Sequence, residues 1–233
     1  MDGKPIYYWI NRHDSPIPSD AGCVILVNCT NISIQNVNIS RNRNGVIFAH
    51  TTNTTIAESN ITTTYDSCIW LWNSSNCHVN ENYVSQFIGI QLHYSSNNTI
   101  YGNTITGCGN YGGVGLYESS NNTFYGNNFT DNYFHVKIDI GTTNINNWDN
   151  GYPDGGNYWD DFEDRYPHVE DIYSGQYQNE TGSDGFWDSS YTINTDNIDH
   201  YPIVPEFPSF IILPLFMIAT LLAVIVCRRK HPM

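Results

Sequence analysis

Basic residues are scarce in this chain: nine Lys and Arg stand against 23 Asp and Glu, for a formal net charge of -14. That balance excludes a nucleic-acid partner, because phosphate backbones are held by a basic face. Charge of either sign is also thin, at 14% of residues. Hydrophobic residues make up 40% and aromatics 14%, enough for a core, so the chain is not disordered along its length. Methionine is nearly missing, with Met1, Met217 and Met233 only. The six cysteines (Cys23, Cys29, Cys68, Cys77, Cys108, Cys227) form no CxxC pair and lack the dense spacing of a disulfide scaffold, so they read as mostly free thiols. Met1–Ile10 has neither a basic start nor an apolar core segment for export. Either the sequence begins inside a longer gene product, the reading favoured here, or a later membrane helix does the targeting. What fills the chain instead is Asn, about one residue in eight, with Thr and Ser. Asn is turn-prone, which excludes a helical bundle and leaves an all-β protein.

A repeat decides the fold. Residues 23–40, 45–62, 68–85, 89–106 and 113–130 align on one template, with steps of 22, 23, 21 and 24 residues. Three apolar columns obey that register: Leu26, Phe48, Leu71, Leu92, Leu116; then Ile34, Ile56, Val79, Ile100, Phe124; then Ile39, Ile61, Val84, Ile105, Phe129. Three short alternating strands per period, separated by Asn-rich turns, predict a three-sided parallel β-helix. About six coils are expected, the last beginning at His135–Ile138. At about 4.8 Å per coil the prism would be roughly 25 to 30 Å long. Asn31, Asn53, Asn76, Asn97 and Asn121 share one turn column, where Asn accepts left-handed backbone and is expected to bond its neighbour in the next coil. The sequons at Asn31, Asn53, Asn97 and Asn121 are therefore read as structural, with Asn73 and Asn179 the better glycan acceptors. Met1–Asp20 holds a strand-like Ile6–Trp9 but too little for a good end cap, which again suggests further coils upstream.

Alternation sends a different set of side chains outward. Ile25, Ile47, Trp70, Gln91, Gly115 and Lys137 should form one column, Val27, Ala49, Trp72, His93, Tyr117 and Asp139 the next, and Asn28, His50, Asn73, Tyr94 and Glu118 a third. Trp70, Trp72, Gln91, His93, Tyr94 and Tyr117 suit a sugar chain, because aromatic faces stack on C–H surfaces while amides and carboxylates take hydroxyls. The competing reading packs Trp70 and Trp72 under a loop or against the acidic stretch that follows residue 143. Hydrolysis would need two carboxylates about 5 to 9 Å apart, and Glu118 and Asp139 are the weak candidates.

From Asn144 to Glu206 the chain carries 14 acids and one base, Arg165, so this stretch holds 13 of the 14 net negative charges. Gly-separated Asp clusters offer hard oxygen ligands: the Asp184–Asp188 turn opposite Asp160, Asp161, Asp164 or Asp171 is expected to hold a structural Ca2+, though the full EF-hand loop is missing. Phe210–Cys227 is an uncharged run of 18 residues followed by Arg228-Arg229-Lys230. As a helix it would be about 27 Å long, enough to span a membrane with the basic tail in the cytoplasm and the rest outside. The expected organisation is thus a β-helix over 1–143, an acidic end module over 144–206 and a membrane segment over 207–233.

Two resemblances sharpen this reading. Pro205-Glu206-Phe207-Pro208-Ser209, the apolar run and the basic tail resemble archaeal PEF-CTERM sorting signals. That resemblance implies an exported archaeal protein processed by an archaeosortase. The coil repeats SSNNTIYGN and GLYESSNNTFYGNNFTDN, followed by NNWDNGYPDGGNYWDDF, GSDGFWD and DHYPI, resemble the NosD-like, CASH-type right-handed β-helix proteins of archaeal surfaces. The family's name implies copper delivery in some members; with no Met-rich or His-rich cluster, copper is not carried over to this chain. The sequence is best read as a surface-anchored β-helix that binds polysaccharide or cell-surface glycan, more a binding protein than an enzyme. A polysaccharide hydrolase or lyase, and a structural or adhesion repeat without a ligand, are the alternatives.

Overall fold

A computed structural model describes residues 3–139 and 144–205 of the 233. The described residues up to Ile203 form one compact unit, an all-β parallel solenoid of about five turns. Each turn contributes a strand to three faces. The first face stacks Ile6–Ile10, Cys23–Val27, Val46–Ala49, residues 67–72, residues 88–93, Val114–Tyr117 and Val136–Ile138. The second stacks His13–Ile17, Thr30–Gln35, Thr55–Ala57, His78–Asn80, Thr99–Tyr101 and Thr123–Tyr125. The third stacks Asn38–Asn42, residues 60–63, residues 83–86, Thr104–Thr106, Asn128–Thr130 and Tyr158–Trp159.

The three apolar columns are the core. Every member from Leu26 to Phe129 is at most 2% exposed, and each pairs with its equivalent one coil away, as Leu26 with Phe48 and Ile100 with Phe124. Between the first and second columns every coil has the same length, as in Leu26 to Ile34 or Leu116 to Phe124, and so does the stretch from the second to the third. All variation in the period therefore falls at one corner, between the third face and the next first face, at residues 41–44, 63–66, 86–87, 107–112 and 131–134.

The turn column Asn31, Asn53, Asn76, Asn97 and Asn121 has φ between 51° and 59° throughout, the left-handed conformation that Asn tolerates. Its side chains are exposed, however, and the inter-coil ladder runs one residue further on. There the buried Asn98 takes the Cys77 N–H on its Oδ1, Asn122 takes that of Asn98, and Asn146 that of Asn122, at 2.9 Å each. A parallel ladder at the next corner links Asn82, Asn103, Asn127 and Asn157. Of the four side chains in the Asn31, Asn53, Asn97 and Asn121 sequons, Asn31 alone bonds a neighbouring coil, donating to Asp14 Oδ1 at 2.6 Å, so bonding between coils is no reason to treat the Asn53, Asn97 and Asn121 sequons as structural.

Residues 144–159 carry the stack onward: Asn147 bridges to Thr123 and Tyr158–Trp159 pairs with Asn128–Phe129. The core columns change from aliphatic to aromatic as they end. Trp148 stacks on Phe124 with ring centroids 4.3 Å apart, and Trp159 on Phe129 at 4.5 Å. Tyr191 then lies parallel on Trp159 at 4.2 Å. The antiparallel pair Tyr191–Asn194 and Asn197–Asp199 closes both amide ladders, since Asn197 Oδ1 accepts the Asn146 N–H and Asp199 Oδ2 that of Asn157. The one helix among the described residues is Phe162–Arg165, and no helix there is long and apolar enough to cross a membrane. The apolar run 210–227 lies outside the described residues.

Candidate functional site

Parallel register carries the outward residues of the first face into straight rows. Ile25, Ile47, Trp70, Gln91, Gly115 and Lys137 pair in sequence, as do Val27, Ala49, Trp72, His93 and Tyr117. Asp139 follows, its N–H bonded to the Leu116 carbonyl. Asn28, His50, Asn73, Tyr94 and Glu118 form the adjoining turn, all with left-handed φ. The sequence columns are therefore physical neighbours.

The rings among them form one cluster. Trp70 meets Trp72 and His93 edge-on, each at 5.5 Å, while Trp72 stacks on His93 at 5.8 Å. Tyr94 contacts Trp72 at 5.9 Å and Tyr117 at 5.2 Å, and His93 contacts Tyr117 at 5.6 Å. Trp72 is 40% exposed, and its ring contacts among the described residues are with Trp70, His93 and Tyr94. The Nε1 of Trp70 is closed off from solvent without an acceptor, so packing rather than a hydrogen bond holds that ring. Burial among the rings pushes the His93 imidazole below its ordinary pKa, against the pull of the Asp139 carboxylate. His93 is consequently neutral at neutral pH.

Beside the cluster lies a groove of about 260 Å³, lined by Gln91, His93, Tyr111, Gly115, Tyr117, Lys137 and Asp139 among others. Gly115 leaves a gap in the outward row between Gln91 and Lys137. Tyr111 belongs to a second aromatic row that the sequence columns did not contain. Tyr65, Phe87 and Tyr111 sit at the variable corner, with centroids 6.5 and 6.2 Å apart, and all three are exposed. Alternation cannot find them, because they fall where the period changes length. Glu118 is exposed and is not among the lining residues, so the groove does not set it opposite Asp139.

The acidic candidates divide into two groups. Asp160 and Asp161 join His135, whose Nε2 is 2.9 Å from Asp160 Oδ1 and 3.3 Å from Asp161 Oδ1, beside a cavity of about 400 Å³. Burial alone would raise Asp161, but His135, the Tyr191 hydroxyl and Arg165 together hold its carboxyl below the usual range. Asp171, Asp184 and Asp188 do not join that group. Asp171 accepts the N–H groups of Asp184 and Gly185, Asp184 that of Gly175, and Asp188 those of Ile172 and Tyr173. These bonds account for the three carboxylates as braces of their own loop.

The His135 group is itself closed. Asn132 Oδ1 accepts the Cys108 N–H and its Nδ2 donates to the Ile105 carbonyl, which fixes the amide with Nδ2 facing His135 Nδ1 at 3.4 Å. With the amide nitrogen facing it, Nδ1 is placed to accept and Nε2 to donate to the carboxylates. A metal at Nε2 would need the opposite tautomer. Soft donors are no better placed: the described cysteines are free thiols, Cys29, Cys68, Cys77 and Cys108 are buried, and burial pushes the Cys77 thiol up to about 11.

A family model described as "Periplasmic copper-binding protein (NosD)" matches residues 12–164. No curated protein matches the chain. Among solved structures, a trypsin-treated form of QnrB1, a plasmid-mediated fluoroquinolone resistance protein, aligns at 9% identity over 58% of this chain and 92% of that one, with a TM-score of 0.15. A likeness so slight carries no argument.

Proposed function

The chain belongs to the NosD family of periplasmic copper-binding proteins, and from that premise we propose that it works outside the cytoplasm as a carbohydrate-binding β-solenoid. The observation that carries this reading is the outward ring cluster Trp70, Trp72, His93, Tyr94 and Tyr117, exposed at Trp72 and Tyr94 and half-buried at the other three, set in register beside a groove with Gln91 and Asp139. Rings spaced along successive coils offer an extended chain of sugars repeated stacking surfaces, with polar groups beside them for hydroxyls. In this reading the run 210–227 anchors the protein, with the solenoid at the cell surface and the basic tail in the cytoplasm; the Pro205–Ser209 motif would then serve an archaeosortase.

The copper of the family's description finds no fitting donor set among the described residues. Four of the five described thiols are buried, and in the one His and Asp group the Asn132 amide faces His135 Nδ1, an arrangement that places the ring proton on Nε2, where a metal would bind. The function proposed here uses neither copper nor calcium.

The test is retention on a panel of immobilised glycans, with each glycan's mass read afterwards. The wild type should retain at least one glycan with its mass unchanged. Trp70→Ala with Trp72→Ala should abolish retention while leaving the thermal unfolding transition in place, since both rings lie outside the core. Retention that survives the double substitution would refute the site, and shortened products would make the protein an enzyme.

A further inference from the structure

The groove has one cationic group, and its position narrows the ligand. Lys137 is exposed on the outward row, with its Nζ 4.8 Å from the Tyr111 ring centroid and donating to the Asn110 carbonyl at 3.3 Å. An ammonium has three N–H donors, so this bond leaves others for a ligand. On the far side of the Gly115 gap stands Gln91. Its Oε1 accepts the Ser67 hydroxyl at 2.7 Å, which turns its amide nitrogen the other way. A Cβ on Gly115 would lie 3.6 Å from that nitrogen. Two donors, one charged, therefore flank a gap floored by backbone. His93 beside them is neutral, and Asp139 stands on the neighbouring row as an acceptor for hydroxyls.

Resting on the carbohydrate reading, we propose that the groove selects glycans carrying uronic acids. A sugar carboxylate would sit over Gly115 between the Lys137 ammonium and the Gln91 amide, while the same ring's hydroxyls face Asp139 and its apolar surface meets Tyr117. A neutral sugar would fill the stacking positions and leave the ammonium unanswered. An isolated carboxylate would gain little, because a chain of charge -14 repels small anions and only the stacked ring brings the carboxylate to the lysine.

The experiment compares oligogalacturonate, oligoglucuronate and oligomannuronate with their carboxyl-reduced, neutral counterparts, measuring affinity for the full chain by calorimetry. At least one acidic oligosaccharide should bind about tenfold more tightly than its reduced form, the worth of one charge-assisted hydrogen bond. Lys137→Met should erase that ratio and keep the weaker affinity for the reduced glycan, because Lys137 is outside the core. Gly115→Val should block both ligands, with circular dichroism confirming the fold. Equal affinity for acidic and reduced forms, or a ratio unchanged in Lys137→Met, would overturn the uronate proposal and leave the carbohydrate reading standing. No binding to any of the six would overturn the uronate proposal, with the wider panel and the Trp70 and Trp72 substitutions then deciding the carbohydrate reading separately.

Discussion

Trp159 donates its indole N–H to the Oδ2 of Asp199 at 2.9 Å. The same carboxylate accepts the Asn157 N–H at 2.7 Å, and Asp199 Oδ1 accepts that of Tyr201. A fully buried acid thus ends an amide ladder that runs back through Asn127, Asn103 and Asn82. Asn197, two residues earlier, does the same for the second ladder and takes the Trp148 N–H as well. The acidic module, on this view, is the plug of the solenoid.

Burial pushes the Asp199 carboxyl up to about 7, although Trp159, Asn157 and Tyr201 all donate to it and pull the other way. Unfolded, it titrates near the ordinary value of about 4. Between about pH 4 and pH 7 the folded state holds a proton that the unfolded state has released, so this group's contribution to stability falls as pH rises through that window. Urea unfolding of the wild type and Asp199→Asn at about pH 4.5 and 7.5 checks this. The gap between the two proteins should shift with pH, and identical pH slopes would refute the assignment.

Adjacent asparagines should behave differently. Asn98 is buried and bonds Cys77, Ser74 and Asn122, so Asn98→Ala strands several backbone groups. At about 1–3 kcal/mol each, a loss of about 3 kcal/mol or more is expected in denaturant titration. Asn97 is exposed and serves only its φ of 59°, so Asn97→Gly should cost no more than a few tenths of a kcal/mol. Equal losses would show that the exposed column, not the buried one, holds the coils together.

Gly156→Ala should release the plug. A Cβ there would overlap the Asp199 carboxylate, which cannot retreat without giving up its bonds to Trp159 and Asn157. Limited proteolysis is expected to cut between residues 160 and 200 while the coils before residue 130 stay protected. Uniform protection in the variant would show that the plug adapts.

Metal removal should change nothing. Asp171, Asp184 and Asp188 are occupied by backbone N–H groups, and His135 is committed through Asn132. Melting temperature should be the same with chelator, with Ca2+ and with Cu2+. A reproducible rise with Ca2+ would restore the acidic loop as a cation site.

Thiol labelling at about pH 8 is expected to miss Cys29, Cys68, Cys77 and Cys108 until denaturant is added, because all four are buried. Prompt labelling of these four, read by peptide mapping, would mean that the coils open.

The core was legible because a solenoid writes its fold into the spacing. Leu26 predicts Phe48, and Ile34 predicts Ile56, since each residue's neighbour in space is one period away in sequence. The outward rows of Trp70 and Trp72 followed from the same rule. What escaped it lies where spacing carries no information. Tyr65, Phe87 and Tyr111 sit at the corner that absorbs every change in coil length. Spacing points to Asn97 and Asn121 for the ladder that Asn98 and Asn122 carry, because paired asparagines look alike until one is known to face inward. Asp199 reads as one more acid in an acidic stretch, and only its contacts with Trp159 and Asn157 distinguish it.

Because two corners keep a fixed length and one varies, the protein can gain or lose a whole coil with little disturbance to the others. Each duplication would lengthen the ring-lined groove by about 4.8 Å, and each change at the free corner would alter the rim without touching the core. Lineages of this chain should therefore adjust reach and selectivity separately, the first by copying rungs and the second by editing a single edge.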